Sequence, residues 1–319
     1  MVSELCLGTM VFGNQINETE AINVIMSAIA SGVNFIDTAD VYAGGRSEEI
    51  LGKALKKERH NVVLATKAAY RVGPGVDDVG LSRRHIMKAI EDSLRRLETD
   101  YIDLYYAHLP DDETPIEETL RAMDDLIHCG KVRYIACANF RVWQLCKALL
   151  ASTRCDLARF DCIQPPYNLI TRDIDDELLP LCANEGIGVC VYNPLAAGLL
   201  TGKYDRDKPP AEGTRFALEN LGPAYRGRYW SDINFDAVAN LKQVAEEYGH
   251  SLNQLALAWI LSNETITSAI CGTTSVKQLE DNLKATNLIL SETELAACDV
   301  IWQQIRPDRF SYGSLKLSR

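Results

Sequence analysis

The stretch Leu5-Cys6-Leu7-Gly8-Thr9-Met10-Val11-Phe12-Gly13 decides the fold. Its apolar start reads as a short strand, Leu5 to Met10, and an open dinucleotide-binding sheet would carry G-x-G-x-x-G directly after that first strand. Here the strand runs into Gly8-Thr9-Met10-Val11-Phe12-Gly13 instead. The nearest look-alike, Gly186-Ile187-Gly188, lacks the third glycine and enters a strand rather than leaving one, so it is not a phosphate loop. Working outward, further strand-like runs follow at Asn34 to Thr38, Val62 to Thr66, Ile102 to Ala107, Arg133 to Ala138, Cys162 to Gln164, Gly188 to Tyr192 and Thr267 to Cys271. Amphipathic helical stretches fill the gaps. Alternating strand and helix units imply parallel strands joined by right-handed crossovers, and the total of eight strands favours a closed α/β architecture, the (β/α)8 TIM barrel, over an open sheet.

Capping chemistry marks where the helices begin. Asn17 with Glu20, Ser251 with Gln254, Ser275 with Gln278 and Ser291 with Glu294 each fit the box in which two side chains satisfy free N–H groups at a helix start. Within one helix Ile86, Ile90, Leu94 and Leu97 share a face that should pack on a sheet. No linker rich in Pro, Gly or Ser divides the chain, so residues 1–319 read as a single barrel domain. Two segments lie outside that pattern: a long connection at 193–234 with little periodicity, of the kind that often forms a functional lid, and a tail from about 305 that carries Arg306, Phe310 and Tyr312.

Across 319 residues, 33 Lys and Arg stand against 44 Asp and Glu, a net charge of −11, with 47% apolar and 24% charged residues. Such a surface repels nucleic acid and anionic lipid, so neither is an expected partner, and any phosphate-bearing ligand needs a local basic or backbone site. The 10 cysteines show no C-x-x-C pair and no metal-ligand spacing. They read as reduced, mostly packed thiols. The chain start lacks a basic region followed by an apolar one, and no apolar run is long enough to span a bilayer, so the expected location is cytoplasmic.

In a barrel of this type the active site lies at the C-terminal ends of the strands. Asp37 closes the second strand, Tyr42 follows five residues later, Lys67 closes the third and His108 the fourth. Together they form a chemically coherent set. A free Tyr titrates near ~10, and a nearby ammonium favours its phenolate. Lys67 is therefore expected to lower the Tyr42 pKa, with Asp37 holding Lys67 charged and fixed. His108 would orient a substrate oxygen, and Tyr42 would be the general acid for an oxygen gaining negative charge. An alternative makes Lys67 a Schiff-base lysine of an aldolase-like barrel.

The segments Gly8 to Gly13, Phe35-Ile36-Asp37-Thr38-Ala39-Asp40-Val41-Tyr42, Ser47-Glu48-Glu49-Ile50-Leu51-Gly52, Ala65-Thr66-Lys67 and His108-Leu109-Pro110-Asp111 resemble the aldo-keto reductase superfamily, in the expected order from residue 5 to about 290. The resemblance implies a barrel that binds a nicotinamide dinucleotide without an open-sheet motif. It also implies reduction of aldehydes or ketones, with Asp37, Tyr42, Lys67 and His108 as the catalytic tetrad and no metal. It assigns Thr9, Met10, Asn139 and Gln164 to the cofactor, the last two for the carboxamide, with Tyr192 stacking on the nicotinamide. Asn193, Pro194, Leu195, Lys203 and Arg215 resemble a cofactor-clasping loop whose basic groups meet pyrophosphate. Gly272, Thr274, Gln278, Asp281 and Asn282, around a helix start suited to an adenosine 2′-phosphate, are assigned to the adenosine end.

Departures from the family pattern carry expectations of their own. Ala138 stands where members carry Ser, which removes one hydrogen bond at a net cost of about 0.5–1.5 kcal/mol. Gln278 stands where many NADPH-preferring members carry Arg, so NADP(H) is the expected cofactor with NAD(H) as the alternative. The usual N-terminal hairpin that plugs the barrel is missing before Leu5, so apolar surface there should be exposed or filled by other residues. Met10, Phe12, Tyr70, Tyr229 and Trp230 are the expected walls of the substrate pocket. The resemblance extends to channel-associated β subunits that keep barrel and cofactor, so a nucleotide-bound regulatory subunit is the rival to an enzyme acting on a small carbonyl or alcohol. The sequence leaves the oligomeric state open.

Overall fold

The structure, a computed structural model, describes residues 1–219 and 221–306. Strands β1 (Leu5–Gly8), β2 (Phe35–Asp37), β3 (Val63–Ala68), β4 (Ile102–Ala107), β5 (Val132–Ala138), β6 (Cys162–Gln164), β7 (Gly188–Val191) and β8 (Ser268–Gly272) pair in parallel in chain order. β1 closes on β8 with Gly8 in register with Gly272. The barrel read from the alternation is therefore the fold.

Helices α1 (Glu18–Ala30), α2 (Arg46–Leu55), α3 (Arg83–Arg96), α4 (Ile116–His128), α5 (Val142–Cys155) and α6 (Leu178–Glu185) are the crossovers from β1 to β7. α7 (Gly222–Tyr229), α8 (Asp232–Glu247) and α9 (Leu252–Leu261) precede β8, and α10 (Val276–Leu283) and α11 (Glu292–Ile305) follow it. The capping boxes form as expected at Asn17 and Ser291. Ser275 caps α10 by accepting from the Gln278 N–H, but the Gln278 side chain turns to the Thr274 N–H rather than back to Ser275. Ile86, Ile90, Leu94 and Leu97 are all buried.

Strand residues alternate between two faces. Outward Leu7, Ile36, Leu64 and Val189 pack under the helices, while inward Cys6, Phe35, Ala65, Tyr106, Cys162 and Cys190 form a separate cluster inside the barrel. The N-terminal floor is filled from within. Val2 packs against that inner cluster, Phe35 is buried, and Asn34 ties down the first residues by exchanging bonds with Ser3 (2.7 and 3.2 Å).

The connection at 193–234 is more structured than its lack of periodicity implied. Besides short turns of helix at 196–201 and 215–217 it contains all of α7 and the start of α8. Aromatic rings hold it down: Tyr204 on Phe216, Phe216 on Trp230 and Trp230 on Phe235, with centroids 4.9, 5.1 and 5.0 Å apart. Such spacing matches neither strand nor helix period, so it left no pattern to read. Of the tail, Arg306 is described, and Phe310 and Tyr312 lie outside the described residues.

Candidate active site

Lys67 lies within β3 on the inward face, with no exposed surface. Its Nζ donates to Asp37 Oδ1 at 2.5 Å and to the Thr38 carbonyl at 2.7 Å. Gln164 Nε2 donates to the other Asp37 oxygen at 2.9 Å, so the carboxylate is held from two sides. The ammonium lies 5.1 Å from the centre of the Tyr42 ring. His108 meets Tyr42 edge-on at 6.0 Å, and Tyr70 closes on the other side of the imidazole at 4.7 Å. The four polar side chains from the strand ends thus converge on one spot.

Burial decides their ionisation. It alone would drive Lys67 neutral, but the carboxylate of Asp37 and the Tyr42 phenol outweigh it and hold the ammonium above its ordinary range. Burial raises the Tyr42 phenol, and Lys67 offsets this only in part, so the net shift is upward. This corrects the expectation that Lys67 lowers it: the charge acts as foreseen, yet the desolvation of a phenolate outweighs it. Burial and the neighbouring ammonium hold His108 well below the usual imidazole range, so it is neutral at neutral pH, and its Nδ1 has no partner among the described residues.

The loops above the strands are fixed by polar contacts. Ser47, at the start of α2, donates to the Thr9 carbonyl at 3.0 Å and lies 3.0 Å from the Thr38 hydroxyl. The Thr9 hydroxyl donates to the Asp37 carbonyl at 3.0 Å, so Thr9 faces the cavity with backbone rather than hydroxyl. Asn139 and Asn193, just past β5 and β7, adopt left-handed backbone with φ of 61° and 56°, which Asn tolerates better than most residues. Asn139 accepts from the Tyr192 hydroxyl at 2.7 Å and donates to the His108 carbonyl at 2.9 Å, joining three strand ends.

A cavity of about 790 Å³ opens over this cluster. Thr9, Met10, Asp37, Tyr42, His108, Asn139, Gln164, Tyr192, Asn193, Arg215 and Gly272 all line it. Of the expected walls, Met10 and Tyr70 are present, whereas Phe12 and Tyr229 are buried and Trp230 belongs to the aromatic cluster that anchors the loop. Leu109, Tyr225 and Arg228 take their place. Pro194 is buried, Leu195 packs on the core, and Lys203 has its Nζ 5.1 Å from the Tyr204 ring. Asp281 accepts from Asn253 at 2.7 Å and Gln254 at 3.1 Å, which ties α10 to α9 beside the buried Asn282. Thr274 and Gln278 meet at the start of α10 through a 3.0 Å bond.

The residues present fit an anionic dinucleotide. A Cβ on Gly8 would lie 2.8 Å from Ile270, and one on Gly272 would lie 3.8 Å from the Arg215 guanidinium, so the bare β1–β8 edge forms a slot beneath a cation. Among the described residues neither Arg215 nor Lys203 pairs with a carboxylate; Arg215 is held by the Tyr225 hydroxyl at 3.1 Å.

Behind Tyr42 lies a second buried group that the sequence did not single out. Glu48 accepts from Thr66 at 2.6 Å and from Arg96 at 2.7 Å, and Asp40 is buried nearby with no side-chain hydrogen-bond partner among the described residues. Burial, with Glu48 beside it, pushes the Asp40 carboxyl up to about 8. A carboxyl that ionises near ~4 unfolded takes up a proton on folding between those values. The stability this contributes is full below about pH 4 and lost as pH rises towards 8. Asp40→Asn is therefore expected to raise stability by about 1–3 kcal/mol at pH 8, with the gain shrinking towards pH 4.5. Thermal melts at both pH values check this, and an equal gain at both would contradict it.

The sequence profile of the Aldo/keto reductase family matches residues 4–303. The chain is 42% identical over 293 residues to a protein of Arabidopsis thaliana named probable voltage-gated potassium channel subunit beta, covering 90% of this chain and 88% of that one. A protein of the same name from Oryza sativa subsp. japonica matches at 42% over 293 residues, with the same coverage. A putative voltage-gated potassium channel subunit beta of Schizosaccharomyces pombe is 35% identical over 291 residues, covering 88% and 83% of the two chains.

Proposed function

The chain belongs to the aldo/keto reductase family, and from that premise we propose that it is an NADP(H)-dependent reductase of aldehydes and ketones, acting reversibly on the matching alcohols. The observation that carries this reading is the buried Lys67–Asp37 pair beside Tyr42, at the wall of a cavity with an unpaired cation at its glycine-floored end. When bound, the dinucleotide supplies or accepts the hydride. Tyr192, Asn139 and Gln164 would hold its nicotinamide end, Arg215 and Lys203 its pyrophosphate, and Thr274 and Gln278 its adenosine end, with the 193–234 segment as the clasp. Tyr42 gives its proton to the carbonyl oxygen. The ammonium of Lys67 stabilises the phenolate left behind, Asp37 keeps that ammonium charged, and neutral His108 orients the oxygen. The free state of all 10 cysteines suits a reducing, cytoplasmic compartment.

Purified protein with NADPH and a reactive aromatic aldehyde is expected to oxidise many equivalents of NADPH, followed at the nicotinamide absorbance band, and to use NADH less well. The names of the relatives favour a second reading, a nucleotide-holding subunit of a larger assembly. That role predicts nucleotide that co-purifies and consumption that stops near one equivalent. Steady turnover excludes it, and failure of every aldehyde tested excludes the reductase.

A further inference from the structure

One cation in the cavity wall is left over once the tetrad and the dinucleotide groups are assigned. Arg228 lies near the C-terminal end of α7 and lines the same cavity as Tyr42, His108 and Tyr192. Its neighbours fix where its charge is felt. Its Cζ is 5.9 Å from the centre of the Tyr225 ring, and it offsets part of the upward push of burial on Tyr70, Tyr192 and Tyr229. Arg228 lines the cavity together with Tyr42, Tyr70, His108 and Tyr192, and Tyr70 stands over His108. Arg215 lies beside Gly272 and shares the Tyr225 ring with Arg228, its Cζ 5.4 Å from the ring centre.

The other arginines of this segment are spoken for: Arg226 donates to the Phe216 carbonyl and Arg215 to the Tyr225 hydroxyl. Among the described residues Arg228 has no carboxylate partner. The chain as a whole carries −11, so its long-range field repels an anion, and an anionic substrate must be held by a charge placed at the site. A guanidinium over an aromatic wall is suited to that task, because its planar fork matches carboxylate and phosphate oxygens.

We infer that Arg228 sets substrate choice: the carbonyl compounds this protein turns over carry a carboxylate or phosphate at the end remote from the carbonyl, and Arg228 binds it. The inference rests on the reductase reading and specifies its substrate class. It is tested with matched pairs, 4-formylbenzoate against its neutral methyl ester and glycolaldehyde phosphate against glycolaldehyde, in wild type, Arg228→Leu and Arg228→Lys. Wild type is expected to prefer the charged member of at least one pair by about tenfold or more in kcat/KM, and the pair that shows it names the anion. Arg228→Leu removes that preference through KM with kcat retained, and Arg228→Lys keeps part of it. Equal kcat/KM for both members of both pairs in wild type overturns the inference, as does a preference that survives in Arg228→Leu. If nothing is reduced, the reductase reading fails separately. Quenching of tryptophan fluorescence by terephthalate and by phosphoglycolate, each in the presence of NADP+, then still decides the Arg228 site, since absence of binding by both, or binding unchanged in Arg228→Leu, overturns it.

Discussion

Replacing Tyr42 with Phe is expected to lower kcat for aldehyde reduction by about 10²–10⁴-fold, while dinucleotide affinity and KM change little. The reason is an inventory of acids at the cavity floor. His108 is a neutral imidazole, and the Lys67 ammonium is closed off by Asp37 and the Thr38 carbonyl, so the Tyr42 hydroxyl is the proton that can reach a carbonyl oxygen. Its raised pKa adds a pH signature. The acid form persists below that pKa and is lost only as pH rises through it, so the reduction rate stays level across the neutral range and falls above the ordinary tyrosine range. No inflection belongs to His108 near its usual value, since it carries no proton to lose there. Steady-state rates against pH for wild type and Tyr42→Phe check both statements. Turnover in the variant within tenfold of wild type would remove Tyr42 as the donor.

Lys67→Met produces the second large effect, and it acts on folding as well as chemistry. The substitution keeps most of the side-chain volume but leaves the Asp37 carboxylate buried, with Gln164 as its remaining side-chain partner. Removing one member of a buried pair costs about 3–5 kcal/mol, read as a lower urea midpoint, and the loss of charge beside Tyr42 lowers kcat at least as far as Tyr42→Phe does. A second variant separates the two effects. Adding Asp37→Asn to Lys67→Met removes the orphaned charge, so stability returns towards wild type while activity does not. Recovery of activity in the double variant would contradict the role given to the ammonium.

The strands and the convergence of polar groups at their ends were legible for one reason: each strand is a short apolar run, and a polar residue at or just past its end stands out. Asp37, Lys67 and His108 are conspicuous by that contrast alone. The direction of the Tyr42 shift was not legible, because it depends on how completely the loops exclude water, which is a property of the closed barrel. The pocket walls failed for another reason. Phe12 and Trp230 look like pocket aromatics, yet one is wholly buried and the other packs among Tyr204, Phe216 and Phe235, so Tyr225 and Arg228 on α7 hold the wall. Asp40 escaped notice because a buried acid without a partner leaves no sequence mark distinct from a turn-forming one.

The inner layer of Cys6, Phe35, Tyr106, Cys162 and Cys190 has a bearing on how the protein resets between cycles. Below Lys67, burial holds the Cys6 thiol and the Tyr106 phenol protonated, the Cys162 contact and burial do the same for Cys190, and the side-chain bonds of Asp37 among the described residues run to Lys67 and Gln164 rather than towards the floor. On the proposed mechanism, the proton that Tyr42 gives up would therefore be replaced from the side that the substrate enters. Recharging the acid and exchanging the substrate would then share one doorway, so a ligand that blocks the mouth would also keep the phenolate from being refilled.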